Sequence, residues 1–159
     1  MPKREALKIR SAVAEDIPAM LALERHSASA AHWRPEQYDK VFSRLNPRRL
    51  ALVIEEEGTD GEADVQGFLV ARAVEREWEL ENILVAGRAR RRGLGTRLLG
   101  EFIDRVRAEG AESLFLEVRE SNRPARALYE RWAFVESGRR KGYYANPTED
   151  AVAYRLSFV

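Results

Sequence analysis

The chain has 159 residues, 33% of them charged, and its 27 Lys+Arg against 26 Asp+Glu leave a net charge of only +1. That balance gives no global field for gripping nucleic acid, so any basic site must be local. The absence of cysteine excludes disulfides, thiolate metal sites and a cysteine nucleophile together.

The length predicts one domain over 1–159, large enough to bury roughly two-thirds of its unfolded surface. The opening "MPKREALKIR" has no apolar stretch of signal-peptide length, and no window nears about 18 unbroken apolar residues. A soluble, cytoplasmic protein with no membrane partner is expected.

In chain order, "LKIRSAV" alternates as a first strand. "EDIPAMLALERHSA" follows with Ile17, Met20, Leu21 and Leu23 at helical spacing. A shorter helix is predicted over "PEQYDKVFSRL", with Pro35 in its first turn and Tyr38, Val41, Phe42 and Leu45 on one side. "LALVIEEE" and "VQGFLVARAV", joined by the turn-rich "GTDGEAD", predict an antiparallel hairpin, and "WELENILV" a further strand. Leu94, Leu98, Leu99, Phe102, Ile103 and Val106 then mark one stripe of a helix ending near Gly110, a residue suited to the left-handed position after a helix.

"SLFLEV" is a continuous apolar run, as expected of a strand covered on both faces. Ser121 or Asn122 caps the next helix, with Pro124 in its first turn and Ala125, Leu128, Tyr129 and Trp132 as its buried stripe. "FVESGRR" and "AVAYRLSFV" finish as strands. Hairpin signals in the first half and strand–helix alternation in the second predict an α/β fold with a mixed sheet and parallel crossovers in the second half.

The segment "ILVAGRARRRGLGTRLL" places Arg88, Arg90, Arg91 and Arg92 with Gly93 and Gly95 between a strand and an amphipathic helix. The glycines let bare N–H groups approach a ligand, the helix start adds the positive end of its dipole, and the guanidinium groups suit a diphosphate. A P-loop is excluded because Thr96-Arg97-Leu98 follows Gly95 where Lys-Ser/Thr is required. A dinucleotide fingerprint would use Glu117 on the next strand for a ribose, but its third glycine position holds Leu98. The remaining pattern is Q/R-x-x-G-x-G/A, here Arg90-Arg91-Arg92-Gly93-Leu94-Gly95.

This stretch resembles the coenzyme A pyrophosphate loop of the GNAT acetyltransferases. "ELENILV", "LFLEVRESNRPARALYERWAF" and "GYY" resemble the bacterial ribosomal-protein-alanine N-acetyltransferases within that superfamily, which modify the amino terminus of a small-subunit ribosomal protein. The resemblance covers about half the chain. It implies a single-domain GNAT fold: a mixed, mostly antiparallel sheet with a central splayed parallel strand pair, flanked by helices. It further implies acetyl-CoA as cosubstrate without a metal, and transfer of acetyl to the α-amine of a protein or peptide. An acceptor that is a small amine or a lysine side chain, or a coenzyme-binding module without turnover, is the alternative.

Residue by residue, the resemblance assigns Arg90, Arg91, Arg92, Gly93, Leu94, Gly95 and Thr96 to the diphosphate. The backbone of Ile83, Leu84 and Val85 would hold the acetyl and pantetheine arm, and Asn122 would contact the coenzyme. Glu117 matches the general base, with Glu79 as the alternate, and Tyr129 the general acid. Read without the resemblance, Glu117 is as readily an exposed strand end or ion-pair partner as a functional carboxylate at a cleft, Tyr129 is a core residue and Asn122 an ordinary cap. Trp33, Tyr38, Tyr143 and Tyr144 either line a peptide groove or pack. His26 and His32 lack metal-ligand spacing and are expected to be structural or surface residues. Two features depart from the family: Ala133 stands where Gly usually precedes Phe, which predicts a reshaped helix end, and the first forty-odd residues match weakly.

Overall fold

The computed structural model describes residues 7–27, 33–43, 47–58, 60–87 and 93–158. Its strands are β1 (Leu7–Ser11), β2 (Arg49–Glu57), β3 (Ala63–Val74), β4 (Glu77–Val85), β5 (Ser113–Arg119), β6 (Val135–Tyr144) and β7 (Glu149–Ser157). The α-helices are α1 (Ile17–Arg25), α2 (Pro35–Val41), α3 (Leu94–Ala108) and α4 (Arg123–Arg131). All strands join one sheet in the order β1-β2-β3-β4-β5-β7-β6. Neighbours are antiparallel except β4 and β5. The fold is the mixed, mostly antiparallel α/β architecture expected from the sequence.

Two expectations are corrected by this topology. The second crossover, β5 through α4 to β6, does not set two parallel strands side by side, because β7 inserts between them and pairs with both. β5 is closed on one face only: Leu114, Leu116 and Val118 are buried, whereas Phe115, Glu117 and Arg119 are half-buried on the other. The apolar run masked that alternation because Phe115 extends it, its ring covered by the Arg155 guanidinium at 5.5 Å.

Helices cover both faces of the sheet. α3 and α4 pack on one face, where Leu98, Leu99 and Phe102 are fully buried, each stabilising the fold by about 1.5–3 kcal/mol. α1 and α2 cover the other face through Met20, Tyr38 and Val41 against Val53, Phe68 and Val70. α2 is shorter than predicted; Phe42 lies in the turn after it, and Leu45 lies outside the described residues. α3 ends as expected, with Gly110 at φ +90° and the Ala111 N–H returning to the Val106 carbonyl at 3.0 Å.

α4 explains its own boundaries. Asn122 Oδ1 accepts from the Ala125 N–H at 3.3 Å, and Pro124 falls in the first turn, where its missing N–H has no intrahelical partner to lose. At the far end Ala133 adopts φ +68°, its N–H donates to the Glu130 carbonyl, and the Phe134 N–H reaches the Tyr129 carbonyl, both at 3.0 Å. The family's helix end is therefore retained and not reshaped, with alanine bearing a left-handed conformation that costs it about 1 kcal/mol or more.

Candidate active site

β4 and β5 pair only at Glu77 with Ser113, Trp78 with Leu114 and Glu79 with Phe115; beyond these residues the two strands part. Ahead of the gap, β4 carries a bulge: Val70 of β3 faces Asn82 while Ala71 faces Leu80, which leaves Glu81 as the extra residue. The Ala86 N–H donates to the Gln66 carbonyl at 2.7 Å. Backbone alternation then turns the N–H and C=O groups of Ile83 and Val85 away from β3 and toward the gap. On the other side, the Glu120 N–H donates to the Asp150 carbonyl at 3.1 Å, so the main-chain groups of Glu117 and Arg119 turn to the gap from β5.

A cleft of about 950 Å³ runs through this opening. Ile83, Leu84 and Val85 line it from β4, Glu117 from β5, and Asn122 and Tyr129 from α4 and its cap. Gly93, Leu94, Gly95 and Thr96 line it at the start of α3. The first intrahelical bond of α3 runs from the Arg97 N–H to the Gly93 carbonyl at 3.0 Å, so the N–H groups of Leu94, Gly95 and Thr96 have no acceptor within the helix. Gly93 at φ +74° makes that turn without the left-handed penalty of a side chain. Unspent donors at the positive end of a 15-residue helix fit the diphosphate of a coenzyme, and the splayed backbone fits its amide-bearing arm. Arg90, Arg91 and Arg92 lie outside the described residues.

Glu117 enters the cleft from β5. Its Oε1 is 3.2 Å from a guanidinium nitrogen of Arg140 on β6. Its Oε2 is buried without a hydrogen-bond partner among the described residues. Tyr129 reaches the cleft from the opposite face of the sheet, 5% exposed, with Phe134 and Tyr154 packed about its ring at 5.8 and 6.1 Å. Burial pushes its phenol well above the ordinary tyrosine range, and the neighbouring Tyr144 adds to the shift. Tyr129 therefore keeps its proton throughout the neutral range.

The structure brings some predicted residues to the cleft and leaves others out. Glu79 does not line it; its carboxylate pairs with Arg72 at 3.1 Å across the β3–β4 ladder. The Trp33 ring lies tilted against Tyr38, with ring centroids 5.2 Å apart, and its backbone N–H donates at 2.7 Å to the buried carboxylate of Glu24. Tyr38 is a fully buried core residue. Of the tyrosine pair, Tyr143 is exposed with Arg140 over its ring at 5.2 Å, whereas Tyr144 lines the cleft. β6 continues through Tyr144, past the predicted "FVESGRR", and adjacent strand residues must face opposite sides. His26 is exposed, and His32 lies outside the described residues.

Sequence reasoning missed Asn82 and Arg119 as cleft residues. Arg119 lies 4.5 Å from the Tyr144 ring centroid and donates to Glu149 at 3.0 Å and to the Ala145 and Pro147 carbonyls, so it fastens the β6–β7 turn and its tyrosine at the cleft edge. Proximity to Glu117, after burial, raises the Tyr144 phenol. A signal for Asn82 existed: Glu81-Asn82 breaks the in–out alternation of "WELENILV", the mark of a bulge. Among the described residues no group of three or more His, Cys, Asp or Glu is arranged to hold a metal ion, and no helix is long and apolar enough to cross a membrane.

A parallel strand pair that splays beside a helix start with unspent N–H donors, with a half-buried carboxylate and a protonated phenol in one cleft, defines an acyltransferase of the coenzyme A type. The acetyltransferase (GNAT) family model matches residues 17–134, and the chain belongs to that family: it is an acetyl-CoA-dependent N-acetyltransferase. Among its relatives, the [ribosomal protein bS18]-alanine N-acetyltransferase of Salmonella typhimurium is 35% identical over 143 residues, covering 89% of this chain and 90% of that protein. The enzyme of the same name from Escherichia coli is 34% identical over 150 residues, covering 93% and 95%. The crystal structure of the Escherichia coli ribosomal-protein-S18-alanine N-acetyltransferase superposes with a TM-score of 0.83 at 31% identity, covering 96% and 94%.

Proposed function

We propose that this acetyltransferase modifies the amino-terminal α-amine of a protein in the cytoplasm, that its acceptor is a bS18-type ribosomal protein, and that the amine attacks acetyl-CoA directly. The observation that carries the reading is the buried, unpartnered Oε2 of Glu117 in a cleft that also receives Tyr129. A chain without cysteine has no thiol for an acyl-enzyme, which favours one-step transfer.

When bound, acetyl-CoA supplies the thioester whose C–S bond breaks as the N–C bond to the amine forms. The helix start at Gly93 to Thr96 holds its diphosphate, and the backbone of Ile83 and Val85 holds its arm. Glu117 takes the amine proton on Oε2 while Arg140 fixes Oε1. Tyr129 presents its phenolic proton to the departing sulfur. A phenol that burial holds above about 10 faces a thiol near about 8.5, so full transfer is uphill, and the hydrogen bond to the developing thiolate is the larger contribution. An α-amine with a pKa near 7.8 is neutral in about a tenth of molecules at pH 7, against roughly one in a few thousand for lysine, so one carboxylate is sufficient assistance.

Acetyl-CoA turnover on short peptides tests this. Peptides with free amino termini, including one carrying the acceptor's first residues, are expected to be acetylated, and amino-terminally blocked peptides with an internal lysine are not. Preferential modification of the lysine overturns the reading.

A further inference from the structure

Two buried polar side-chain atoms at the cleft have no hydrogen-bond partner among the described residues: the acceptor Glu117 Oε2 and the donor Asn82 Nδ2. Asn82 is 6% exposed and lines the cleft. Both side chains project from the same face of the sheet. Asn82 pairs across the ladder with Val70, which packs with Tyr38 under α1 and α2. Glu117 alternates with Leu116 and Val118, which pack under α3 and α4, and so points the same way as Asn82. The β4 bulge at Glu81 produces this match. Continued regular alternation from Leu80 would turn Asn82 to the α3 and α4 face, and the extra residue turns it back. The Tyr38 hydroxyl lies beside Asn82 and Glu24, and both act on its phenol through their polar side chains, but neither contact reaches hydrogen-bond geometry.

A buried donor left unpaired is costly, and here it shares a wall with a buried acceptor on the facing strand. An amino-terminal residue carries the complementary pair, an N–H donor on the α-amine and an acceptor oxygen on the carbonyl carbon that adjoins the same Cα. Resting on the proposed peptide acceptor, we infer that Asn82 is a specificity-determining residue whose Nδ2 donates to the first peptide carbonyl of the acceptor while Glu117 Oε2 receives the amine. A lysine side chain has no carbonyl beside its amine and leaves Asn82 unpaired, which disfavours it at this site.

The test is a cycle of Asn82→Leu, close in shape and without the donor, against a free-amine peptide and the same peptide with its first carbonyl replaced by a thioamide, a weaker acceptor. Wild type is expected to lose about 5- to 10-fold in kcat/KM on the thioamide. Asn82→Leu is expected to lose about 10-fold on the ordinary peptide, chiefly in KM, and to treat the two peptides alike. Its melting temperature should hold or rise, because an unpaired buried donor has been removed. Additive losses, an unchanged KM on the ordinary peptide, or a fall in melting temperature with a loss confined to kcat overturns the inference. Failure of wild type to turn over either peptide overturns the acceptor reading and this inference with it.

Discussion

The Phe134 N–H donates to the Tyr129 carbonyl at 3.0 Å while the two rings lie 5.8 Å apart, so the residue that ends α4 also holds the cleft phenol from behind. This is the backbone closure and apolar contact of a Schellman ending, built with Ala133 at φ +68° where glycine would be unstrained. Ala133→Gly is expected to stabilise the protein by about 0.5–1 kcal/mol with unchanged KM, read by chemical denaturation. Phe134→Ala should lower both stability and kcat, because it loosens Tyr129.

Tyr129→Phe should slow turnover by about 10²-fold with acetyl-CoA affinity kept, the cost of one hydrogen-bond donor to developing charge. It also has a signature in stability. The folded-state pKa is raised above the unfolded value of about 10, so on alkalinisation the unfolded chain releases this proton first. The stabilisation present below pH 10 is lost as pH rises beyond it, by up to about 1.4 kcal/mol per pH unit. Denaturation between pH 9 and 11.5 should show a shallower decline for Tyr129→Phe than for wild type.

Glu117→Gln should reduce kcat with part of the deficit recovered at higher pH, where the α-amine loses its proton unaided. A deficit constant with pH would move the base elsewhere. Arg140, 62% exposed at its side chain, should contribute less than about 1 kcal/mol to stability through this pair, so a fall in kcat for Arg140→Met reflects loss of control over Oε1.

The two loop glycines should separate. Gly93 needs its positive φ, so Gly93→Ala is expected to cost about 1 kcal/mol and to weaken acetyl-CoA binding. A Cβ on Gly95 would meet Leu128 at 3.5 Å and Val85 at 3.8 Å, ordinary contact distances, so Gly95→Ala should melt within a few degrees of wild type. Thermal shift with and without acetyl-CoA reads both effects.

Far from the cleft, Asp16 joins β1 to α1. Its carboxylate accepts two bonds from the Arg10 guanidinium and one from the Val13 N–H, all at 2.8 Å. The Arg10 bonds, foremost, hold its pKa below the usual carboxylate range. A lowered folded pKa contributes stability above the unfolded value of about 4 that disappears as pH falls below it. Asp16→Asn should therefore destabilise by about 1–3 kcal/mol at pH 7, and the gap to wild type should close toward pH 3.

Where a local pattern had one physical meaning, it was legible in the sequence. The stripe from Leu94 to Val106 could only be a helix packed on one side, and Gly110 only its end. The glycines after β4 pointed to a phosphate because few structures need that spacing. Properties that depend on neighbours were not legible. Nothing local says that β7 enters between β5 and β6, that Glu79 is spent on Arg72, or that Tyr144 and not Tyr143 turns inward. Glu24 sits four residues after the buried Met20, on the same side of α1, but its partner, the Trp33 backbone N–H, comes from the segment beyond the helix end.

The placement of β7 ties two sides of the cleft to one strand. β5 carries Glu117 and β6 carries Tyr144, and the two strands are joined only through the ladders each makes with β7. Fraying of β7 would leave the β5 edge bare and β6 without a neighbour in the sheet, so a local loss at this strand reaches Glu117 and Tyr144 together.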